Sequence, residues 1–112
     1  MIHSGTMENS SHLVQILLPI YDNEHQRFGA DVFSVTREEL TERFGGLTAH
    51  MRAPARGVWK TDDGDEARDD IVIFEVMTER VDREWWDTYR RRLEGRFRQD
   101  AIVIRAMPIS IL

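Results

Sequence analysis

The sequence predicts an α+β fold in which two helices cover one face of a four-stranded antiparallel sheet. Three observations lead there. Apolar runs and helical stripes follow one another as strand, helix, strand, strand, helix, strand. The two middle strands are separated by the turn formers Asp63-Gly64. A chain of 112 residues holds one core and is too short for two full domains. The expected organisation is an N-terminal tail outside the fold over residues 1–12 and a single domain over residues 13–112.

Leu13 to Tyr21 is a short, β-rich apolar run ended by Asp22 and Asn23, as a buried strand requires. Pro19 has no ladder donor, so pairing is expected to weaken or bulge there. Residues 22–33 show no clean period and carry Gly29, which reads as a long loop. Thr36 and Glu39 then form a capping box, with Val35 able to staple onto Leu40, and predict a short helix over Arg37 to Phe44. Gly45-Gly46 supplies its left-handed stop. Leu47 to Met51 alternates as a second strand, which breaks at Pro54 and resumes at residues 57–60. The turn over residues 61–65 leads into a third strand, from Asp70 to Val76.

Asp82 is the expected N-cap of the second helix, with Val81 stapled to Trp86, and the helix runs to about Arg98. At ~100° per residue, Trp85, Trp86, Tyr89, Leu93 and Phe97 share an arc of about 120° that faces a core. Gly95 interrupts the last turns. Ala101 to Met107 is the fourth strand, expected to stop or bulge at Pro108. This order is the split β-α-β arrangement of a ferredoxin-like sandwich.

In such a sandwich the sheet face opposite the helices should be polar if it met water. Here it is largely apolar, with Leu13, Leu17, Ile71, Ile73, Val103 and Met107 opposing the core-facing residues of their strands. A second copy is the simplest cover, so the expected assembly is a homodimer through the open sheet face. Gln15 and Glu75 fall on that face and need partners there.

Arg43-Phe44-Gly45-Gly46-Leu47-Thr48, Gly57-Val58-Trp59 and Phe97-Arg98-Gln99-Asp100 together resemble a group of small bacterial proteins known only as a domain of unknown function. The resemblance runs from Leu13 onward through an Arg-Phe-x-Gly-Leu-Thr and Gly-x-Trp pattern. It implies a ferredoxin-like fold and no particular activity.

Composition narrows the chemistry. With no cysteine, the chain has no disulfide, thiolate nucleophile or cysteine-based metal centre. Twenty acidic against fifteen basic residues give a net charge of −5, and no nucleic-acid motif accompanies it, so nucleic acid is not an expected partner. No apolar run is long enough to span a bilayer and the N-terminus lacks a signal-peptide pattern, which predicts a cytoplasmic protein without membrane contact. No phosphate loop or Gly-x-Ser-x-Gly elbow is present, and neither cofactor nor metal is expected.

Four histidines remain, at positions 3, 12, 25 and 50. His25 stands beside Asp22 and Glu24 in the long loop, as a general base or metal group would, against the alternative of a solvated loop. His50 lies on the second strand, facing either a pocket or open solvent. The acidic run over residues 62–66 lacks the ligand spacing of a calcium loop and reads as a solvated turn. Arg96 falls inside the aromatic arc beside Trp85 and Tyr89, with Arg92 at its margin, and arginine and aromatic rings together can hold an anion or a planar ligand. The plainer alternative is that these arginines cover the rings and pair with Glu84, Asp87 or Glu94.

The leading expectation is therefore a non-catalytic homodimeric domain that binds a small molecule or protein partner, with Trp59, Trp85, Tyr89 and Arg96 as contacts. The alternative is a cofactor-independent enzyme of the α+β barrel type, with His25 or His50 as base in a pocket under the 22–33 loop.

Overall fold

Alternating burial along the first strand sets the sheet. β1 spans Ser10–Pro19; its Val14, Ile16 and Leu18 are buried, whereas Leu13, Gln15 and Leu17 on the opposite side are only half-buried. The computed structural model describes residues 10–52 and 71–112. Because β1 starts at Ser10, residues 10–12 belong to the sheet and not to the expected N-terminal tail. The segment at 57–60 with Trp59, the turn at 61–65, the acidic run at 62–66, Asp70 and His3 lie outside the described residues.

After β1 come α1 (Ala30–Phe44), β2 (Thr48–Arg52), β3 (Ile71–Thr78), α2 (Arg83–Arg96) and β4 (Ile104–Ser110). The four strands lie in the order β2-β3-β1-β4, and every neighbouring pair is antiparallel. This is the ferredoxin-like α+β arrangement, with β1 and β3 in the centre and β2 and β4 at the edges.

One sheet face meets the helices. Val14, Ile16, Leu18, Val72, Phe74 and Val76 pack there against Leu40 of α1 and Trp86, Tyr89 and Leu93 of α2. Phe97 closes the end of this core, with Phe28 and Phe33 each 5.3 Å away between ring centroids. Each large apolar side chain fully buried in this layer contributes about 1.5–3 kcal/mol by leaving water.

The first helix corrects the sequence reading. It starts at Ala30 rather than Arg37, so the 22–33 loop ends at Gly29, and Gly29 caps the helix without any side-chain hydrogen bond. Thr36 is no N-cap. It is fully buried in the second turn, where its hydroxyl donates to the Val32 carbonyl at 2.7 Å. Val35, the expected staple, is 44% exposed. The cause is tertiary: Val32, Phe33, Leu40 and Phe44 form one apolar stripe against the core, and Thr36 fills the gap in it.

The other helix signals hold. Gly45 adopts φ 81° and donates its N–H to Thr41 at 2.8 Å, ending α1. Asp82 caps α2 by accepting from the Trp85 N–H at 3.0 Å. At the far end, Arg98 takes the left-handed conformation (φ 51°) and the Gln99 N–H reaches the Glu94 carbonyl at 2.9 Å, so the helix stops before Arg98.

β4 does not stop at Pro108; it continues to Ser110. The Leu17 N–H donates to the Val103 carbonyl at 3.0 Å, which makes 17 and 103 a hydrogen-bonded pair. By alternation along the same register, Pro108 opposite His12 falls in a non-hydrogen-bonded pair. Its nitrogen therefore faces the free edge, and the ladder loses nothing. Pro19, for the same reason, points its nitrogen past the start of β4.

Candidate functional site

The sheet face opposite the helices carries the most distinctive polar arrangement. Leu13, Leu17, Ile71, Met107 and Ile109 line it half-buried, and Met77 and Val103 are 57% and 55% exposed. Across this apolar field runs one polar line. Arg105 on β4 donates through Nε to Gln15 Oε1 at 2.7 Å, Gln15 donates through Nε2 to Glu75 Oε2 at 2.5 Å, and Glu75 Oε1 stands 2.9 Å from His50 Nε2 on β2. The line touches all four strands.

Register explains why these residues meet. Gln15 is paired with Glu75 on one side and Arg105 on the other, so the three form one lateral row. The Gln15–Glu75 pair is of the non-hydrogen-bonded kind, in which side chains stand closest. His50 reaches Glu75 from one row away, since it is itself paired with Ile73. The amide of Gln15 orients the line: it accepts from the cation and donates to the carboxylate. The Gln15 hydrogen bond, more than the one from His50, holds the Glu75 carboxyl below its usual range, against the opposing effect of desolvation.

The residues singled out on α2 lie on the other side of the molecule. Trp85 stacks on Tyr89 with centroids 4.8 Å apart, and the Arg43 guanidinium sits 4.1 Å above the Trp85 ring. Arg96 reaches across to α1, where its NH1 and NH2 atoms contact the two oxygens of Glu39 at 2.8 and 3.0 Å and NH1 also donates to Thr36 Oγ1 at 2.8 Å. The Tyr89 hydroxyl donates to Glu39 Oε1 at 2.9 Å. Trp85, Tyr89 and Arg96 are thus brought together, and the polar groups of Tyr89 and Arg96 are engaged within the chain. Arg92 also approaches Glu39, at 3.6 Å, whereas Asp87 and Glu94 pair with Arg90. The sequence offers Glu39 only as a capping-box residue, because its partner Arg96 lies 57 residues away.

The 22–29 segment is built around a tight turn. Tyr21 and Arg27 bridge, and Asp22 folds the turn between them by accepting the Glu24 and Gln26 N–H groups, each at 2.8 Å. These backbone hydrogen bonds, Gln26 first, lower the Asp22 pKa. His25 occupies the exposed tip with φ 64°. Among the described residues no group of three His, Asp or Glu side chains converges as metal ligands would.

Of the histidines among the described residues, only His50 sits in a polar constellation with a carboxylate on the open face. Arg105, which completes the line, was legible only as an odd-numbered residue on the same strand face as Met107. No helix among the described residues is long and apolar enough to cross a membrane.

No family model matches the chain, and no curated protein matches it. Among solved structures, it is similar to a phage SAM lyase in complex with S-methyl-5'-thioadenosine, at 9% identity and a TM-score of 0.52, over 90% of each chain. At that identity the likeness is one of fold.

Proposed function

We propose that the protein is a non-catalytic binding domain that works as a homodimer through its open sheet face and takes a small molecule at the His50 end of the polar line His50–Glu75–Gln15–Arg105. The observation that carries this reading is the line itself: four hydrogen-bonded polar side chains crossing a largely apolar sheet surface. Apolar surface of this extent is covered in working proteins, and convergent polar groups within it fix the orientation of a ligand. The ends of the line differ in character, a guanidinium on β4 and an imidazole beside a carboxylate on β2. A ligand with an apolar body and a polar edge fits such a surface. The Trp85, Tyr89 and Arg96 cluster is the second place for a ligand; its hydrogen bonds to Glu39 and Thr36 favour the open face instead.

The SAM lyase of similar fold suggests the first probe. Native mass spectrometry of freshly purified protein and calorimetric titration with S-methyl-5'-thioadenosine test the proposal together. A dimer carrying extra mass, or a dimer that binds the probe and binds it more weakly in His50→Ala, supports it. A bare monomer that takes up no probe overturns it.

A second reading rests on the His50–Glu75 pair, in which a carboxylate holds the imidazole as it would hold a general base. Incubation with SAM separates the two. Under the enzymatic reading His50→Ala abolishes turnover and keeps the fold; under the binding reading no turnover occurs and His50→Ala only weakens binding.

A further inference from the structure

Resting on the proposed homodimer through the open face, we infer that its two-fold axis runs along β1, so that Arg105 of each protomer meets the partner's Glu75. The argument starts from the lateral row. Glu75 and Arg105 flank Gln15 on the two neighbours of β1, each about 4.8 Å from it. A carboxylate and a guanidinium therefore stand at equal distances on opposite sides of one strand.

Two sheets packed face to face lie about 10 Å apart with their strands within about 30° of each other, close enough for facing side chains to touch. A two-fold axis along β1 exchanges the β3 side with the β4 side. Each Glu75 then lies over the partner's Arg105, and the symmetry forms this ion pair twice. An axis across the strands would instead put Glu75 over the partner's Glu75 and Arg105 over the partner's Arg105, which like charges oppose. An axis midway between β1 and β3 would face Arg105 with the partner's Thr48 and Glu75 with the partner's Gln15 amide, and would form no carboxylate pair.

The remaining bonding capacity agrees. Among the described residues Arg105 spends only Nε, on Gln15, so its terminal N–H groups can donate outward. Glu75 accepts from Gln15 and meets His50 with one oxygen each, and each oxygen keeps a further lone pair. Apolar residues match under the same operation. Leu13 and Leu17 face their own copies, Met77 faces the partner's Met107, and Ile73 faces the partner's Val103. This covers Met77 and Val103, two large apolar side chains more than half exposed on the isolated face. β2 lies two strands from the axis, beyond the partner's β4, and leaves His50 at an open rim.

The test is a charge exchange read by native mass spectrometry on the full chain. Wild type is expected to be a dimer, Glu75→Arg and Arg105→Glu each monomeric, and their equimolar mixture a one-to-one heterodimer, because every cross-contact again pairs opposite charges. The double variant E75R/R105E is expected to recover the homodimer. A wild-type dimer whose single variants stay dimeric, or whose mixture stays monomeric, overturns the axis along β1 and leaves the dimer standing. A wild-type monomer overturns the dimer as well. Should the single variants fail to fold by circular dichroism, coupling by a short bismaleimide decides, since the chain has no cysteine of its own. Leu13→Cys and Leu17→Cys each couple to their own copy if the axis follows β1; coupling at neither position, or at only one, rejects it.

Discussion

Tyr89 on α2 donates its hydroxyl proton to Glu39 on α1 across 2.9 Å, and Arg96 grips the same carboxylate at 2.8 and 3.0 Å. One acidic side chain thus fastens the two helices above the sheet. Its removal leaves a guanidinium with only 17% of its side chain exposed and without its countercharge. Glu39→Ala should lower stability by about 2–3 kcal/mol and Tyr89→Phe by about 1 kcal/mol. Urea unfolding measures both, through the midpoint at constant slope. A loss below about 0.5 kcal/mol in Glu39→Ala would mean that apolar packing alone holds the helices.

The same contacts set the pH range of stability. Arg96 chiefly, then Tyr89, lowers the Glu39 pKa, and Gln15 chiefly lowers that of Glu75. Both therefore release protons more readily folded than unfolded. Their contribution is complete above the unfolded carboxylate value of about 4.3 and is lost as the pH falls through the lower folded values. Tyr89 behaves oppositely, since burial and Glu39 raise its pKa; its contribution is complete below about pH 10 and declines above it. Thermal unfolding from pH 3 to 10.5 should show a plateau with losses at both ends. Glu39→Ala should flatten the acid limb, and an unchanged limb would assign acid unfolding to other groups.

Two glycines should respond with opposite signs. Gly45 holds φ 81° at the end of α1, so Gly45→Ala should cost about 1–2 kcal/mol although no atom stands in the way of a Cβ. Gly95 lies inside α2, where a Cβ would also meet nothing within 4 Å, and Gly95→Ala should stabilise by about 0.5–1 kcal/mol. Paired denaturation curves decide. Equal signs would contradict the two backbone conformations.

Pro108 removes a donor from the free edge of β4, where its nitrogen faces outward. Pro108→Thr should leave the unfolding midpoint within about 0.5 kcal/mol of wild type, because no ladder bond is regained. It should also increase concentration-dependent association by exposing one more edge N–H. Sedimentation velocity over a concentration series tests this. A clear gain in stability without added association would place the nitrogen on the β1 side instead.

The sequence by itself determined the order of elements, the N-cap at Asp82, the stop at Gly45 and the apolar character of both sheet faces. Each follows from backbone chemistry or from a periodicity that neighbouring residues display on their own. Tertiary structure decided where α1 begins, because buried Thr36 reads as a surface cap until Arg96 and the Val32 carbonyl are known to satisfy it. It also decided which charges meet. Arg96 finds Glu39 and not its own helix neighbours, and Arg105, 90 residues from Gln15, joins a line that includes Glu75 and His50. Which side chains stand opposite one another depends on strand order and register, and register is fixed by the burial of a whole sheet face, not by any residue in the row.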